Sequence, residues 1–442
     1  MLKAVARKAD AWRTKWSSPF RRLLHSLVLC LHRTWNVFGS ALAAPSTKAL
    51  RYTIGAAAIA RSALLRSARH VSDRVRRRPD WRAVTYVLGI AAGFLLLTLL
   101  LELPHGPEHW SADLRTAYLS PRPQKQDARI ALIYITDRTL ERFHYVSPVD
   151  RQFLTDLVKA VDAAGPRAIG LDFIFSRPTE AAKDQAILDA ILGTRAAVVL
   201  GAIQEPLTPK DRAYQADFLA KAKRVVGHLY VDAHHDALVL SDHVVRFMAD
   251  RANSAYPKSF AEALADAVGV HTAHRTHYIS WLLPPKDGTE TFLSLSAEHV
   301  LGLEGPPLPL KALLADKIVL IGTDFFDRDQ HLIPLSVIKQ TRYPGLFIHA
   351  QILAQFLDNR SLNTFGWRQQ LLLLVVAAGL GFWAGRRPRQ IHLITEFISV
   401  AALIVVGILA FVFCSLIFPY TGVLLAWLAG FTAGHHSRQV HA

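Results

Sequence analysis

The chain has 442 residues, 51% of them hydrophobic and 19% charged, with a formal net charge of +16 and two cysteines. Cys30 and Cys414 are too few for a disulfide framework, and residues 103–368 hold no cysteine and hence no thiol nucleophile. The charge is confined to one arm: residues 1–82 carry 18 Lys or Arg against three acids, whereas 102–368 carry 29 basic and 31 acidic residues. The excess of positive charge therefore does not point to nucleic acid, and the arm has no nucleic-acid-binding motif.

In chain order, residues 1–82 read as a basic cytoplasmic arm of amphipathic helices or disorder. Leu24, Leu27, Val28, Leu31 and Trp35 recur there at helical spacing. Arg74, Arg76, Arg77 and Arg78 form a basic patch suited to anionic lipid heads. A first transmembrane helix is expected over 83–102 and a second over 369–385. Residues 397–437 are 41 consecutive positions without Asp, Glu, Lys or Arg, broken by Pro419-Tyr420-Thr421-Gly422. A membrane crossing takes about 20 apolar residues, so this run reads as a hairpin of helices at 391–415 and 417–436. Lys and Arg beside a membrane segment tend to stay in the cytoplasm. The arm and Arg386-Arg387-Pro388-Arg389 therefore place both termini inside and 103–368 outside. Gly379 and Gly381 with Ala384, and Ala426, Gly430 and Gly434, are small-residue patches on which such helices pack.

The polar block alternates short β-rich runs with helical ones. Strands are expected at 129–136, 168–175, 196–202, 225–231, 278–283 and 317–322, and helices at 151–164, 183–192, 259–268 and 348–357. Residues 203–224 and 284–316 read as insertions or loops. The fold class is therefore α/β: a layered, mostly parallel-sheet extracytoplasmic domain with four transmembrane helices, one N-terminal and three C-terminal. Open sheets of this kind bind ligands at the carboxyl ends of their strands. Asp137 follows the first strand, Asp172 lies in the second, and Thr323-Asp324, Asp327 and Asp329 follow a late one. Those carboxylates either converge on one cleft or cap turns. Asp172, between Leu171 and Phe173, needs a partner, for which Arg151 and Lys317 are candidates. Pro344-Gly345 reads as a tight turn placing His349 on the first turn of a helix, facing a carboxylate or a ligand, or satisfied in the core. Clusters at His228, His234, His235 and His243, and at His271, His274 and His277, read as surface loops rather than as a metal site.

The run Arg129 to Ile135 with Asp137, Pro148 and Arg151, then Ala164-Gly165 and Ile169-Gly170-Leu171-Asp172-Phe173-Ile174-Phe175, resembles the opening of a CHASE2 domain. The resemblance continues through Lys317-Ile318-Val319-Leu320-Ile321-Gly322-Thr323, Asp329 and Pro334, and closes on Tyr343-Pro344-Gly345-Leu346-Phe347-Ile348-His349-Ala350. It covers residues 104 to 436 and implies an extracytoplasmic sensory module of the kind attached to bacterial histidine kinases and nucleotide cyclases. Thr136-Asp137-Arg138-Thr139-Leu140 keeps one acid where the family usually has two, and Ile333 stands where Thr is common.

These readings imply a non-enzymatic, multi-pass protein of the bacterial inner membrane, a stand-alone sensor with no kinase or cyclase domain after the last helix. Its ligand-binding candidates are Asp137, Arg151, Asp172, Thr323, Asp329 and His349. No cofactor and no metal is expected. The expected partners are a small-molecule or protein ligand outside, membrane lipids, and a second copy or a separate signalling protein; no nucleic acid is expected. The rival reading is a membrane scaffold whose outer domain binds another protein permanently.

Overall fold

The computed structural model describes residues 81–101, 105–143, 147–234, 244–271, 278–325, 329–339, 341–387 and 392–439. The patch Arg74, Arg76, Arg77 and Arg78, with Asp327 and most of the histidine clusters, lies outside them. The chain divides into two compact units, Met1–Leu101 with Phe365–Ala442, and Glu102–Thr364.

The Glu102–Thr364 unit begins with α1's successor in the chain, α2 (His105–Leu119), where α1 is Trp81–Leu101 of the other unit. There follow β1 (Asp127–Thr136), α3 (Asp137–Leu140), α4 (Arg151–Ala163), β2 (Ala168–Leu171), α5 (Ala181–Gly193), β3 (Ala197–Ala202), α6 (Pro209–Ala222) and β4 (Val225–His228). Next come β5 (Val231–His234), β6 (Val244–Met248), α7 (Phe260–Ala267), β7 (Phe292–Ser296), α8 (Ala297–Val300) and α9 (Leu310–Leu314). The unit closes with β8 (Ile318–Asp324), β9 (Gln330–His331), α10 (Ser336–Lys339), β10 (Tyr343–Pro344) and α11 (Gly345–Leu357).

One sheet of six strands, in the order β4-β3-β2-β8-β1-β7, organises the unit, and every neighbouring pair is parallel. Its central strands are apolar on both faces because helices cover both. Ala131, Ile133 and Ile135 of β1, with Val319 and Ile321 of β8, face the core layer beneath α4, α5, α6 and α8. Ile130, Leu132, Ile318 and Leu320 face the opposite layer, with Phe260 and Leu264 of α7 and Ile348 and Leu353 of α11. The connections leaving β1 and β2 thus run to helices on one face, whereas the connection leaving β8, which lies between them, runs to α11 on the other. Neighbouring strands whose connections part in this way leave a crevice at their carboxyl ends.

Differences from the sequence reading have local causes. Residues 278–283 are not a ladder strand, because buried glutamines of α11 satisfy their backbone: Leu282 N donates to Gln351 Oε1 at 2.9 Å and Ser280 N to Gln355 Oε1 at 2.7 Å. Residues 203–224 contain α6, capped by Thr208, whose hydroxyl accepts from Asp211 N at 3.2 Å, with Pro209 in its first turn. Residues 284–316 supply the edge strand β7. A buried, two-pronged ion pair joins α2 to the β5–β6 hairpin, with Arg246 Nε 2.9 Å from Asp113 Oδ1 and Nη2 2.8 Å from Oδ2.

The other unit consists of α1, α12 (Trp367–Gly385), α13 (His392–Cys414) and α14 (Tyr420–Gln439). Of the four expected crossings, only Trp367–Gly385 is long and apolar enough to cross a membrane among the described residues, and Trp81–Leu96 and Ile398–Cys414 are shorter apolar stretches. Helices α12 and α14 pack backbone to backbone. A Cβ at Gly381 or Gly385 would lie 2.1 Å from the carbonyl oxygen of Trp427 or Phe431, and one at Gly430 or Gly434 would lie 2.2 or 2.1 Å from that of Ala378 or Phe382. Gly379 is outside this contact, since its nearest neighbour would be Val87 Cγ1 at 3.9 Å.

Any side chain at this crossing forces the helices apart and forfeits dispersion contacts along their length. Gly430→Ile is expected to destabilise the full chain in detergent by about 1–3 kcal/mol, the usual cost of overpacking. Thermal and denaturant unfolding measure it, with Gly379→Ala as the near-neutral control.

Candidate functional site

The crevice at the carboxyl ends of β2, β8 and β1 is lined by acids, and two glycines determine how close those acids come. The Asp172 backbone N–H donates to Ile321 O at 2.9 Å, extending the β2–β8 ladder by one residue. Side chains alternate along a strand. Leu171 and Phe173 enter the α4–α5 core layer, so Asp172 turns to the α11 face. It lies against Gly322, where a Cβ would be 3.1 Å from Asp172 Cβ, 3.3 Å from its Oδ2 and 2.9 Å from Leu346 Cδ1.

Asp329 arrives from the opposite side. Its backbone adopts the left-handed region, φ 57°, and its carbonyl accepts from Gly345 N at 3.1 Å. The carboxylate rests on the first turn of α11, where a Cβ at Gly345 would fall 2.7 and 2.8 Å from its two oxygens. Gly345 is thus required for this close approach and not for a positive φ. Anions are favoured at a helix N-terminus, which suits this placement. His331 Nε2 lies 3.0 Å from Asp329 Oδ1. Asp324, at the end of β8, accepts from Gln330 Nε2 at 2.6 Å.

His349 sits on the second turn of α11, four residues after Gly345 and so on the same helix face. It is 2% exposed and packs edge-on against Phe260 with ring centroids 5.4 Å apart; the nearby Leu229 backbone weakly favours its protonated form. Its Nδ1 has no hydrogen-bond partner among the described residues.

The electrostatics follow from enclosure. Burial holds the Asp172 carboxyl well above the usual carboxylate range, and Asp329 raises it further. Burial also raises Asp324, with Asp137 and Asp329 adding to the effect and Gln330 opposing it. Burial lowers the His349 imidazole to about 4, against the pull of Asp329 and with help from His228 and His331. The Tyr134 phenol is pushed up by burial and then by Asp324, Glu290 and Asp172. Among the described residues no Lys or Arg forms an ion pair with Asp172 or Asp324.

Of the expected site residues, Asp329 lies within electrostatic reach of both Asp172 and His349. Thr323 is in β8, paired with Ile135 beside the crevice, and Asp137 opens α3 at its exposed rim, within electrostatic reach of Asp324. Arg151 belongs elsewhere. It is 2% exposed on the opposite face of the sheet, its guanidinium 4.5 Å from the Phe175 ring centroid and its Nε 3.5 Å from Asp184 Oδ1. Lys317 precedes β8, at the amino edge, where it donates to Ala128 O. Neither serves as the partner of Asp172, because strand alternation and strand direction separate them. Tyr134, His331 and Tyr343 join the site without having been singled out. Tyr134 pairs in register with Gly322, and Tyr343 pairs with His331 and stacks on Phe347 at 4.9 Å. No group of three or more His, Cys, Asp or Glu is disposed to hold a metal ion among the described residues.

A profile of the CHASE2 domain family matches residues 87–383. No curated protein and no solved structure matches the chain.

The buried imidazole sets a pH dependence of stability. The folded His349 resists protonation, so the unfolded chain binds more protons below the ordinary imidazole pKa of about 6.5. Its contribution is present above that pH and is lost as pH falls towards about 4. The wild-type chain is expected to lose about 3 kcal/mol more than His349→Leu between pH 7 and pH 4. Denaturant unfolding of both at the two pH values measures the difference.

Proposed function

We propose that this chain, which belongs to the CHASE2 domain family, is a membrane-anchored sensor whose 103–368 domain binds its ligand outside the cell in the crevice of Asp172, Asp329 and His349. CHASE2 is an extracytoplasmic sensory domain family, and the sensor reading proceeds from that membership. The observation that carries the choice of site is the unrelieved polarity of the crevice: a carboxyl raised by burial and an imidazole nitrogen enclosed without a partner. Groups placed at such cost at the carboxyl edge of a parallel sheet are the usual mark of a binding site.

The anchoring reading rests on four helices in one unit and on the ends of α12. Nineteen residues at about 1.5 Å each give roughly 28 Å, close to the hydrocarbon thickness of a bilayer. Arg368 lies over the Trp367 ring at 5.1 Å and Arg387 over Trp383 at 4.0 Å, which places an aromatic–cation pair at each end of α12, as at an interface. In this reading α1, α12, α13 and α14 all span the inner membrane of a bacterium with both termini in the cytoplasm. The domain is a binding module and not an enzyme. Its signal leaves through the packing of the helices to the basic arm or to a separate partner.

A thermal-shift screen of the full chain in lipid nanodiscs tests this function. The expected result is a small molecule that raises the melting temperature of the wild type and has no effect on Asp329→Ala. Stabilisation by a stoichiometric protein partner alone, with no response to small molecules, favours a scaffold instead. The topology has its own test in cells, in a chain with both native cysteines changed to serine. A cysteine at the exposed Lys286 is expected to react with a membrane-impermeant thiol reagent, and one at Arg386 to be protected; the reverse pattern contradicts the topology.

A further inference from the structure

We propose that α2 is a membrane-interface helix, whose outer face of Trp110, Leu114 and Tyr118 seats the domain on the lipid headgroups of the bilayer that α1 crosses. This role rests on the anchoring reading and not on the ligand crevice.

Exposure and the placement of charge define this face. Trp110 and Tyr118 are 58% and 64% exposed, with the half-buried Leu114 between them in the chain. Spaced four apart, the three residues share one side of the helix. Among the described residues of Glu102–Thr364, no other Phe, Tyr or Trp is exposed. The charges of α2 are turned elsewhere. Glu108 pairs at 3.4 Å with the buried Arg115, and the buried Asp113 pairs at 2.8 Å with Arg246 of β6. That second pair, with His109 edge-on to Phe247 at 5.8 Å, fixes the inner side of α2 to the domain. A helix facing bulk water carries its charges outward. Helix α2 turns them inward and presents an uncharged, aromatic arc.

Position in the chain selects lipid as the occupant. Helix α1 has 21 residues, which at about 1.5 Å each give roughly 31 Å, the thickness of a hydrocarbon core. Leu101 ends α1 and His105 begins α2, and the link between them spans at most about 15 Å in any conformation. With α1 across the bilayer, α2 therefore begins in or beside the headgroup layer. Trp and Tyr are enriched in that layer, because an apolar ring with one polar atom suits a zone that is half wet. A protein partner would also favour such rings, but it would not account for their lying on the helix that follows α1.

Spin-label accessibility of the full chain in phosphatidylcholine nanodiscs tests this role. Both native cysteines are changed to serine, and one nitroxide-labelled cysteine replaces Trp110, Tyr118, Val376 or Lys210. Oxygen concentrates in lipid and a water-soluble nickel chelate in water, so the ratio of their collision rates reports the medium each label faces. Val376, exposed on α12, reads the anchoring, and Lys210, exposed on α6, reads bulk water. The oxygen-to-nickel ratio at Trp110→Cys and Tyr118→Cys is expected to be at least threefold above that at Lys210→Cys, with Val376→Cys higher still. Ratios at the two α2 sites equal to that of Lys210→Cys, with Val376→Cys high, overturn the proposal and leave the anchoring intact. Low collision rates with both reagents at the α2 sites mean that protein covers the face, and overturn it as well; if they appear only with two chains per disc, that protein is a second copy. A low ratio at Val376→Cys removes the anchoring reading itself, and this role with it.

Discussion

Two absent Cβ atoms, at Gly322 and Gly345, are the constraint on which the site depends. At Gly322 the absence lets the Asp172 carboxyl turn inward beside β8; at Gly345 it lets the Asp329 carboxylate settle on the first turn of α11. Each approach is shorter than a side chain allows. Together they bring the exposed Asp329 within electrostatic reach of Asp172, whose own burial already disfavours charge. His349, one turn beyond Gly345, lies within electrostatic reach of Asp329.

Holding these residues together is unfavourable by itself, and the rest of the domain offsets it. The two core layers that sandwich β1, β8 and β2 give the strands no freedom to splay. Fully burying one side chain such as Phe260 or Leu353 contributes about 1.5–3 kcal/mol, and each layer contains many of them. A rigid sheet can therefore hold a crevice whose own groups favour dispersal. Such stored electrostatic free energy is available to a ligand that neutralises it, which is how a binding site acquires affinity without a large contact area.

How much of this was legible in the sequence differs by level. Continuous apolar runs such as Ile130 to Ile135 and Ile318 to Ile321 marked the central strands, because strands buried on both faces need no alternation. The edge strand β7 was hidden, since Ser294 and Ser296 interrupt a run of only five residues. Helix α6 was hidden because its sequence has little apolar contrast, although Thr208-Pro209 and Asp211 are a start signal. Among site residues, Asp172, Asp329 and His349 stood out by position, but nothing local told which would meet. Their grouping follows from the insertion of β8 between β1 and β2, a long-range pairing. Arg151 shows the converse: it looked like a partner for Asp172, yet alternation along β2 sends Asp172 and Phe175, over which Arg151 lies, to opposite faces of the sheet.

On the proposed function, Asp172 is kept at a cost to the fold for a ligand and not for stability. The direct measurement is the melting temperature of the ligand-free full chain with Asp172→Asn, against wild type, at pH 8. A carboxyl raised by burial and by Asp329 destabilises the fold progressively as pH rises above the ordinary carboxylate pKa, in full once pH exceeds its folded pKa, and the neutral isostere removes that penalty. The variant is expected to have a higher melting temperature, with a gap that narrows as pH falls. A lower melting temperature at pH 8 contradicts it, because Asp172 would then be a structural carboxylate stabilised by its surroundings.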